Sequence, residues 1–269
     1  MGVLMSASLS RSCHGHPHRP TLNLTDGAYG TDVPNSNATD APAERSGPQA
    51  SVGCATPCIV VRPTSGGRMD GAMKFPESRL AHELLDGLTG LEIGGSAHNP
   101  FGLATRNVDY TLDLDTTFKL EEVRLCGEAL RVDIAAPADR LPLPDGSEDF
   151  VISSHVIEHI FDPIGAIEEW LRVVRPGGYV FMIAPHMERT FDRERPRTSL
   201  AELIDRHEGR VAAPEVDNHD HYSVWITDDL LDVCRSMNWP VVAVQDTDDK
   251  VGNGFTVVIM KPQAPTPPT

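Results

Sequence analysis

From about residue 75 onward, short runs of apolar residues alternate with segments in which apolar residues recur every three or four positions. Short apolar runs predict buried strands, and the longer spacing predicts helices with one apolar face. Strands that alternate with helices in this way are typical of βαβ units. The pattern therefore predicts an α/β domain built on a mostly parallel sheet.

The best-marked helix is predicted to begin at Asp162 and Pro163, which suit the N-cap and the first helical position. It should end at 175–178, because proline cannot continue a helix and glycine accepts the left-handed exit. Further helices are predicted over 75–88 and 228–237. Strands are predicted at 91–93, 107–110, 130–134, 149–154, 179–184, 241–244 and 255–260, the last two forming an antiparallel pair.

The first part of the chain differs in composition from the rest. Residues 1–70 are rich in Pro, Gly, Ser, Thr, Asn and Asp and have neither a helical nor a strand period, which predicts a disordered, low-complexity tail. The folded domain is expected over 71–262, with the polar stretch 186–222 as a lid or acceptor-binding insertion. Residues 263–269 are expected to form a second flexible tail.

Charge and cysteine usage narrow the class of protein. A net charge of −16 and a pI near 5.0 argue against a nucleic-acid partner, which requires a basic surface. No apolar run reaches the length of a membrane span. The five cysteines are scattered and odd in number, which favours free thiols and a cytoplasmic protein. Association into a homodimer is left open.

A glycine turn provides the first candidate site. The predicted strand 91–93 runs directly into Gly94 and Gly95, which allow a sharp turn and a close approach of a ligand to the backbone. The next two predicted strands end near the acidic residues Asp109 and Asp133. Ligands of open α/β sheets bind at the carboxyl ends of the strands. Taken singly, Asp109 is better explained as a solvated strand end, and Asp133 could simply cap the following loop.

In their joint order, these features resemble class I S-adenosylmethionine-dependent methyltransferases over about residues 75–262. Residues 91–94 resemble the first motif of that family, and 141–151 (LPLPDGSEDFV) resemble its "LPFPDxSFDxV" segment. Residues 154–159 (SHVIEH) follow as the loop after a strand, and 171–178 (LRVVRPGG) form a helix exit typical of the family. Ser96 stands where the family commonly has another glycine.

The resemblance implies a Rossmann-like three-layer sandwich with a seven-stranded sheet that ends in an antiparallel strand. It also implies S-adenosylmethionine as the cofactor, with its methionine part on the glycine turn, its ribose hydroxyls on Asp109 and its adenine beside Asp133 and Ile134. The implied cofactor-binding residues are Glu92, Gly94, Gly95, Ser96, Asp109, Asp133, Ile134 and Ser154.

Histidines follow the strands at which an acceptor should bind. Methylation of an alcohol requires a base that removes its proton. His155 follows the fourth predicted strand and His186 follows the fifth, so both should face one crevice. We therefore predict an O-methyltransferase with His155 as the catalytic base and His186 as the second choice. A loop histidine bonded to the backbone is an equally good reading of His155.

The acceptor is predicted to be a small molecule or an oligosaccharide. Residues 185–193 resemble sugar and polysaccharide O-methyltransferases, among which the methylmannose polysaccharide 1-O-methyltransferases are one specific group. A Mg²⁺ ion that orients two sugar hydroxyls is one option. Its candidate ligands are Asp217, His219, Asp220 and His221. The candidate substrate-binding residues are Glu158, Arg189, Arg193, His219 and His221.

Three other functions have to be weighed. His155, Glu158 and His159 fit the H-x-x-E-H pattern of a metallohydrolase, although that motif requires a helix and here it follows a strand end. A nicotinamide-binding protein is a second option, but the first turn lacks G-x-G-x-x-G. The third is a methyltransferase-like module that binds cofactor without turnover.

Overall fold

The computed structural model describes residues 73–214 and 221–263. The predicted N-terminal tail, the first two residues of the predicted domain (71 and 72) and the short stretch 215–220 lie outside the described residues. Of the predicted C-terminal tail, only Gln263 is described. The strands are β1 (Thr89–Ile93), β2 (Ala104–Asp109), β3 (Ile134–Ala135), β4 (Glu148–Ser154), β5 (Val174–Pro185), β6 (Val241–Gln245) and β7 (Gly254–Met260). The helices are α1 (Arg79–Leu85), α2 (Thr117–Cys126), α3 (Pro163–Val173), α4 (Leu200–His207) and α5 (Thr227–Ser236).

The strands form one seven-stranded sheet in the order β3-β2-β1-β4-β5-β7-β6. β1 pairs in parallel with β2 on one side and with β4 on the other. β7 runs antiparallel to both of its neighbours, β5 and β6. This topology confirms the predicted fold class. The chain reverses its direction of winding between β1 and β4, and such a switch point is where open α/β sheets bind ligands.

Apolar side chains cover both faces of the sheet. In β4, Phe150 and Ile152 pack on the face that α1 covers, whereas Val151 between them joins the core on the other face. That second core includes Trp170 of α3, whose indole nitrogen donates to the carbonyl of Ala138 over 2.8 Å. A strand that is apolar on both faces requires cover on both sides, which explains its unbroken apolar run.

Several predicted boundaries were wrong. The first helix begins at Arg79 rather than at residue 75, because Ser78 caps it by accepting from the amide of Ala81. The third strand contains only two residues, Ile134 and Ala135. Just before it, the side chain of Asp133 accepts from the amide of Asn107 in β2. This side-chain bond replaces a backbone hydrogen bond between the two strands, so the third strand begins only at Ile134. Two helices, α2 and α4, were not predicted.

Two further findings bear on the predicted class. None of the helices within 73–214 and 221–263 has the length and apolar content that a bilayer crossing requires. Cys126 and Cys234 are buried free thiols. Burial raises the pKa of the Cys234 thiol to about 12, so it remains protonated and behaves as a packing residue.

Candidate active site

A side chain at the second position of the turn after β1 would be crowded. Gly94 has a φ of +68°, and its amide donates to the carbonyl of Val108 in β2 over 2.9 Å. A Cβ on Gly95 would lie 2.8 Å from Oδ1 of Asn107 and 2.9 Å from both Glu92 and Leu130. The backbone at this turn is therefore pressed against β2, and no side chain separates it from the crevice.

Buried charges under this turn neutralise one another. Lys119 of α2 donates to Glu122 over 2.6 Å and to the carbonyl of Gly95 over 3.1 Å, and it lies 3.7 Å from Asp109. Glu122 also accepts from the amide of Ala97 over 3.0 Å. Burial raises the pKa of Asp109, although the neighbouring ammonium of Lys119 opposes that effect. We call Gly95, Asp109, Lys119 and Glu122 the glycine-turn network.

The loop that follows the turn reaches across to β4. Asn99 donates from its amide nitrogen to the hydroxyl of Ser154 over 3.3 Å, and so joins the carboxyl ends of β1 and β4. The Ser96 hydroxyl and the Asn99 amide oxygen are buried, and neither makes a hydrogen bond. Buried polar atoms without partners are uncommon in folded proteins. Their place beside the glycine turn fits the ammonium and carboxylate of the cofactor's methionine part.

The other predicted cofactor residues occupy the same edge of the sheet. Asp109 is the last residue of β2, and one of its carboxylate oxygens accepts from the amide of Tyr110 over 2.7 Å. The carboxylate of Asp133 binds the side chain of Arg131 and the amide of Asn107, so its contacts are internal. Ile134 follows at the start of β3, half-buried against the core. Asp109 therefore has a carboxylate oxygen that could accept from a ribose diol, whereas both oxygens of Asp133 already have partners within the protein.

Glu92 is buried at the end of β1 and accepts from the hydroxyl of Thr105 over 3.2 Å. Burial raises the pKa of its carboxyl to about 7. Lys250, in the turn between β6 and β7, opposes that shift and donates to the carbonyls of Pro76 and Pro100. Sequence reasoning missed Lys119, Glu122 and Lys250, because their burial depends on contacts with distant residues.

His155 stands at the carboxyl end of β4 in the left-handed region, with a φ of +55°. It is buried, its Nε2 makes no hydrogen bond, and its amide donates to the carbonyl of Ile183 in β5 over 2.9 Å. Burial lowers the pKa of its imidazole to about 4, so the ring is neutral near pH 7. Strain of this kind tends to concentrate at functional sites.

Beside His155 lies a set of polar side chains that we call the histidine cluster: Glu158, His159, Asp192 and His221. Ligand atoms of Glu158, His159 and His221 lie within 4.8 Å of one another, and all three residues are buried. His221 contacts Asp192 through Nδ1 over 2.5 Å. Burial raises the pKa of Glu158 to about 7. Burial acts to lower the pKa of His221, but its bond to Asp192 and the charge of Glu158 raise it overall.

Three of the predicted acceptor-side residues have partners of their own. His186 directly follows β5, and its Nδ1 accepts from the amide of Glu188 over 3.3 Å. Burial lowers the pKa of this imidazole. The Arg189 guanidinium binds Asp246, and that of Arg193 donates to the carbonyl of Glu188 over 2.9 Å. Both arginines therefore hold the segment after β5 in place.

Only one of the predicted Mg²⁺ ligands lies among the residues that the structure describes. Asp217, His219 and Asp220 lie outside the described residues, so of the four Mg²⁺ candidates only His221 is placed. The H-x-x-E-H reading requires one helix, but only 157–159 form a single 3₁₀ turn here. His155 precedes that turn, and the compact group contains His221 in its place. A metallohydrolase of that type is therefore not favoured.

The strand order, the glycine turn and the acid at the end of β2 are the features that the resemblance to class I S-adenosylmethionine-dependent methyltransferases implies. Residues 91–182, about a third of the chain, match the family profile described as a methyltransferase domain.

Curated relatives match over short stretches. A "probable S-adenosylmethionine-dependent methyltransferase" of Mycolicibacterium smegmatis is 45% identical over 62 residues, which cover 23% of this chain and 24% of the relative. The malonyl-[acyl-carrier protein] O-methyltransferase of a Marinomonas species is 47% identical over 47 residues, 18% of this chain and 17% of the relative. The matches thus span about a quarter or less of the relatives' length.

A solved structure also aligns with the chain. It is that of an S-adenosylmethionine-dependent methyltransferase from Thermotoga maritima, described as a possible histamine N-methyltransferase. It is 17% identical, with a TM-score of 0.42, over 67% of this chain and 86% of that one.

Proposed function

We propose that this domain transfers the methyl group of S-adenosylmethionine to an oxygen nucleophile, with a saccharide hydroxyl as the acceptor. The observation that carries the proposal is the switch point at the carboxyl ends of β1 and β4, where Ser96 and Asn99 keep buried polar atoms unpaired beside the glycine turn. Asp109 stands at the end of the neighbouring strand β2. When bound there, S-adenosylmethionine supplies a methyl group on a positively charged sulfur.

The chain's own residues would position the cofactor. Asp109 would accept hydrogen bonds from the two ribose hydroxyls, because a carboxylate offers two acceptor oxygens to a diol. Lys119 and Glu122 hold the loop after β1 from below through the carbonyl of Gly95 and the amide of Ala97. Catalysis of methyl transfer consists chiefly of such positioning and of water exclusion.

His155 would remove the proton of the acceptor. Its imidazole is neutral near pH 7, and its Nε2 makes no hydrogen bond. His186 is the weaker candidate, because its Nδ1 already accepts from the amide of Glu188. A pKa of about 4 makes His155 a weak base, so the acceptor hydroxyl has to be made more acidic than it is in water.

The test is a methyl-transfer screen of the purified full chain with labelled S-adenosylmethionine. The panels are saccharides, carboxylic acids (the oxygen acceptor that the name of the Marinomonas relative implies) and amines. A methyl ether of a saccharide is the expected product. A product on amines alone would overturn oxygen transfer. Saturable cofactor binding without a product in any panel would instead favour a module without turnover.

A further inference from the structure

We propose that Glu158, His159 and His221 bind a divalent first-row transition ion at the carboxyl end of β4. Glu158 and His159 belong to the 3₁₀ turn after that strand, and His221 belongs to the segment that leads into α5. Their ligand atoms lie within 4.8 Å of one another. No other group of three such side chains within 73–214 and 221–263 comes as close together.

The first observation is a buried carboxylate without a hydrogen bond. Glu158 has no exposed surface, and neither carboxylate oxygen has a hydrogen-bond partner. Its backbone is fixed in place, because its carbonyl accepts from the amides of Tyr222 and Ser223. A buried carboxylate without hydrogen bonds is destabilising and is ordinarily paired with a cation or bound to a metal. The nearest imidazoles lie 3.7 to 4.0 Å from Oε1 of Glu158, beyond hydrogen-bond distance, so a bound metal ion would supply the missing contact.

The second observation is the spacing of the imidazoles around that carboxylate. Oε1 of Glu158 lies 3.7 Å from Nε2 of His159 and 4.0 Å from Nε2 of His221. These separations are too long for hydrogen bonds. Ligand atoms around a tetrahedral zinc ion lie about 3.4 Å apart, given bonds of ~2.1 Å. A contraction of about half an ångström along these two separations, together with closure of the two imidazole nitrogens from within 4.8 Å to the same spacing, would bring the three atoms onto one ion.

The third observation is the support behind His221. Nδ1 of His221 lies 2.5 Å from Asp192, which is itself buried and held by Arg195 over 2.7 Å. Arg195 also donates to the carbonyl of His221 over 2.7 Å. A carboxylate behind a histidine fixes the ring so that the other nitrogen faces the metal. Here that nitrogen, Nε2, faces Glu158.

The ligand set selects the kind of ion. Two imidazoles and one carboxylate suit Zn²⁺, Fe²⁺ and similar ions, whereas Mg²⁺ prefers oxygen ligands and keeps several waters. Three protein ligands leave a coordination position open. One consequence rests on the proposed function: an acceptor oxygen at that position would become more acidic.

The test measures metal binding directly, without an activity readout. The full chain also carries Cys13, His14, His16 and His18. These four residues could also bind metal. The parent protein for the test is therefore a variant in which the cysteine is serine and the three histidines are alanine. It is stripped with a chelator and titrated with Zn²⁺ against a chromophoric competitor. One ion per chain is expected, and Co²⁺ should give a visible absorption band characteristic of nitrogen ligands.

Two variants decide the assignment. Glu158→Gln and His221→Asn should each weaken Zn²⁺ binding at least 100-fold and abolish the Co²⁺ band. The control is His82→Asn, which removes a partly buried histidine that contacts Glu77 and Asp86 and should change nothing. Unchanged affinity in both ligand variants, or a parent that binds no ion, would overturn the site.

A third variant covers the case in which the ligand variants do not fold. Asp192→Asn keeps all three ligands but weakens the support of His221, and should lower the affinity about 10- to 100-fold. A folded Asp192→Asn protein with parental affinity would contradict the arrangement. Cofactor titration of the same metal-free protein keeps the two proposals separate, because cofactor binding at the glycine turn does not require the ion.

Discussion

The glycine-turn network and the histidine cluster both bury carboxylates, but the cluster leaves one of them, Glu158, without a hydrogen bond. At the glycine turn, Lys119 contacts Glu122 directly and lies within 3.7 Å of Asp109. In the cluster, the carboxylate of Glu158 has imidazoles at 3.7 to 4.0 Å and no hydrogen bond. Nearly all buried charges in proteins are paired. We therefore interpret the glycine-turn network as a structural support, and the histidine cluster as a site that a bound metal ion would complete.

The same contrast appears in the electrostatics of the two regions. In the network, Lys119 opposes the rise that burial imposes on the pKa of Asp109. In the cluster, burial dominates and holds the pKa of Glu158 at about 7. A functional group in an enzyme often has a pKa displaced in this way, whereas a structural ion pair does not need one. Four changes would sharpen or break this distinction.

The largest effect is expected from His155→Asn. Asparagine tolerates the left-handed backbone at this position, so the variant removes the imidazole with little strain. If His155 is the base, turnover should fall about 10²- to 10⁴-fold while cofactor affinity is kept. The measurement is kcat together with calorimetric cofactor affinity, with His186→Asn as the matched variant. Undiminished turnover in the His155 variant would remove it as the base.

Lys119→Met tests whether the network is a support. The change leaves Glu122 and Asp109 buried without their cation, and should lower the free energy of unfolding by about 3–5 kcal/mol. The control is Lys74→Met, which breaks an exposed pair with Glu128 and should cost about 0–1 kcal/mol. Urea unfolding measures both. Equal costs for the two variants would show that the network is not the support inferred here.

Glu92→Gln tests the pH dependence of the buried carboxyl at the end of β1. Its pKa is about 7 in the folded chain, against about 4.3 when unfolded, so the folded state holds the proton more tightly. The free energy of unfolding should therefore fall by about 3 kcal/mol as pH rises between these values.

Glutamine removes that titration, so the variant should gain stability relative to the natural chain between pH values of about 5 and 8. Urea unfolding at these two pH values measures the difference. The control is Glu83→Gln, an exposed residue that pairs with Arg79 and should show little pH trend. A Glu92→Gln difference that stays constant with pH would contradict the raised pKa.

Gly95→Ala should have the smallest effect on stability, about 1–3 kcal/mol, because its Cβ would meet Asn107 and Glu92 within 2.9 Å. It should also weaken S-adenosylmethionine binding. Gly87→Ala is the control, since a Cβ there meets nothing within 4 Å and only its φ of +80° opposes the change. That variant should cost about 1 kcal/mol and leave cofactor affinity intact. Equal cofactor affinities in the two variants would argue against close cofactor approach at the turn.

Sequence reasoning predicted the parts of the fold whose signals are local. Asp162 and Pro163 mark the start of α3 wherever the helix packs, and the apolar runs of β1, β4 and β5 reflect their burial on both faces. α2 was missed because it buries Lys119 and Glu122, so it lacks the apolar stripe that identifies a helix. Its signals were Thr116 as N-cap and Gly127 at the exit.

The histidine cluster was only partly predictable for a different reason. Glu158 and His159 are neighbours, but Asp192 and His221 come from two later segments. The sequence motif contained His155, Glu158 and His159, whereas the compact group in the structure contains His221 and not His155. Asp192 was not predicted at all, because nothing in its local sequence distinguishes it from a solvated acid. Sites assembled from distant segments require the tertiary structure.

The central claim is that the crevice after β1 binds S-adenosylmethionine. Calorimetric titration of the full chain with S-adenosylmethionine and S-adenosylhomocysteine tests it most directly. We expect one saturable site for each ligand. Asp109→Asn should weaken both by about 1.5–3 kcal/mol, the usual contribution of a hydrogen bond to a charged group. Asp145→Asn, which changes an exposed acid beside Arg172, should leave both unchanged. A folded chain that binds neither ligand would contradict the claim.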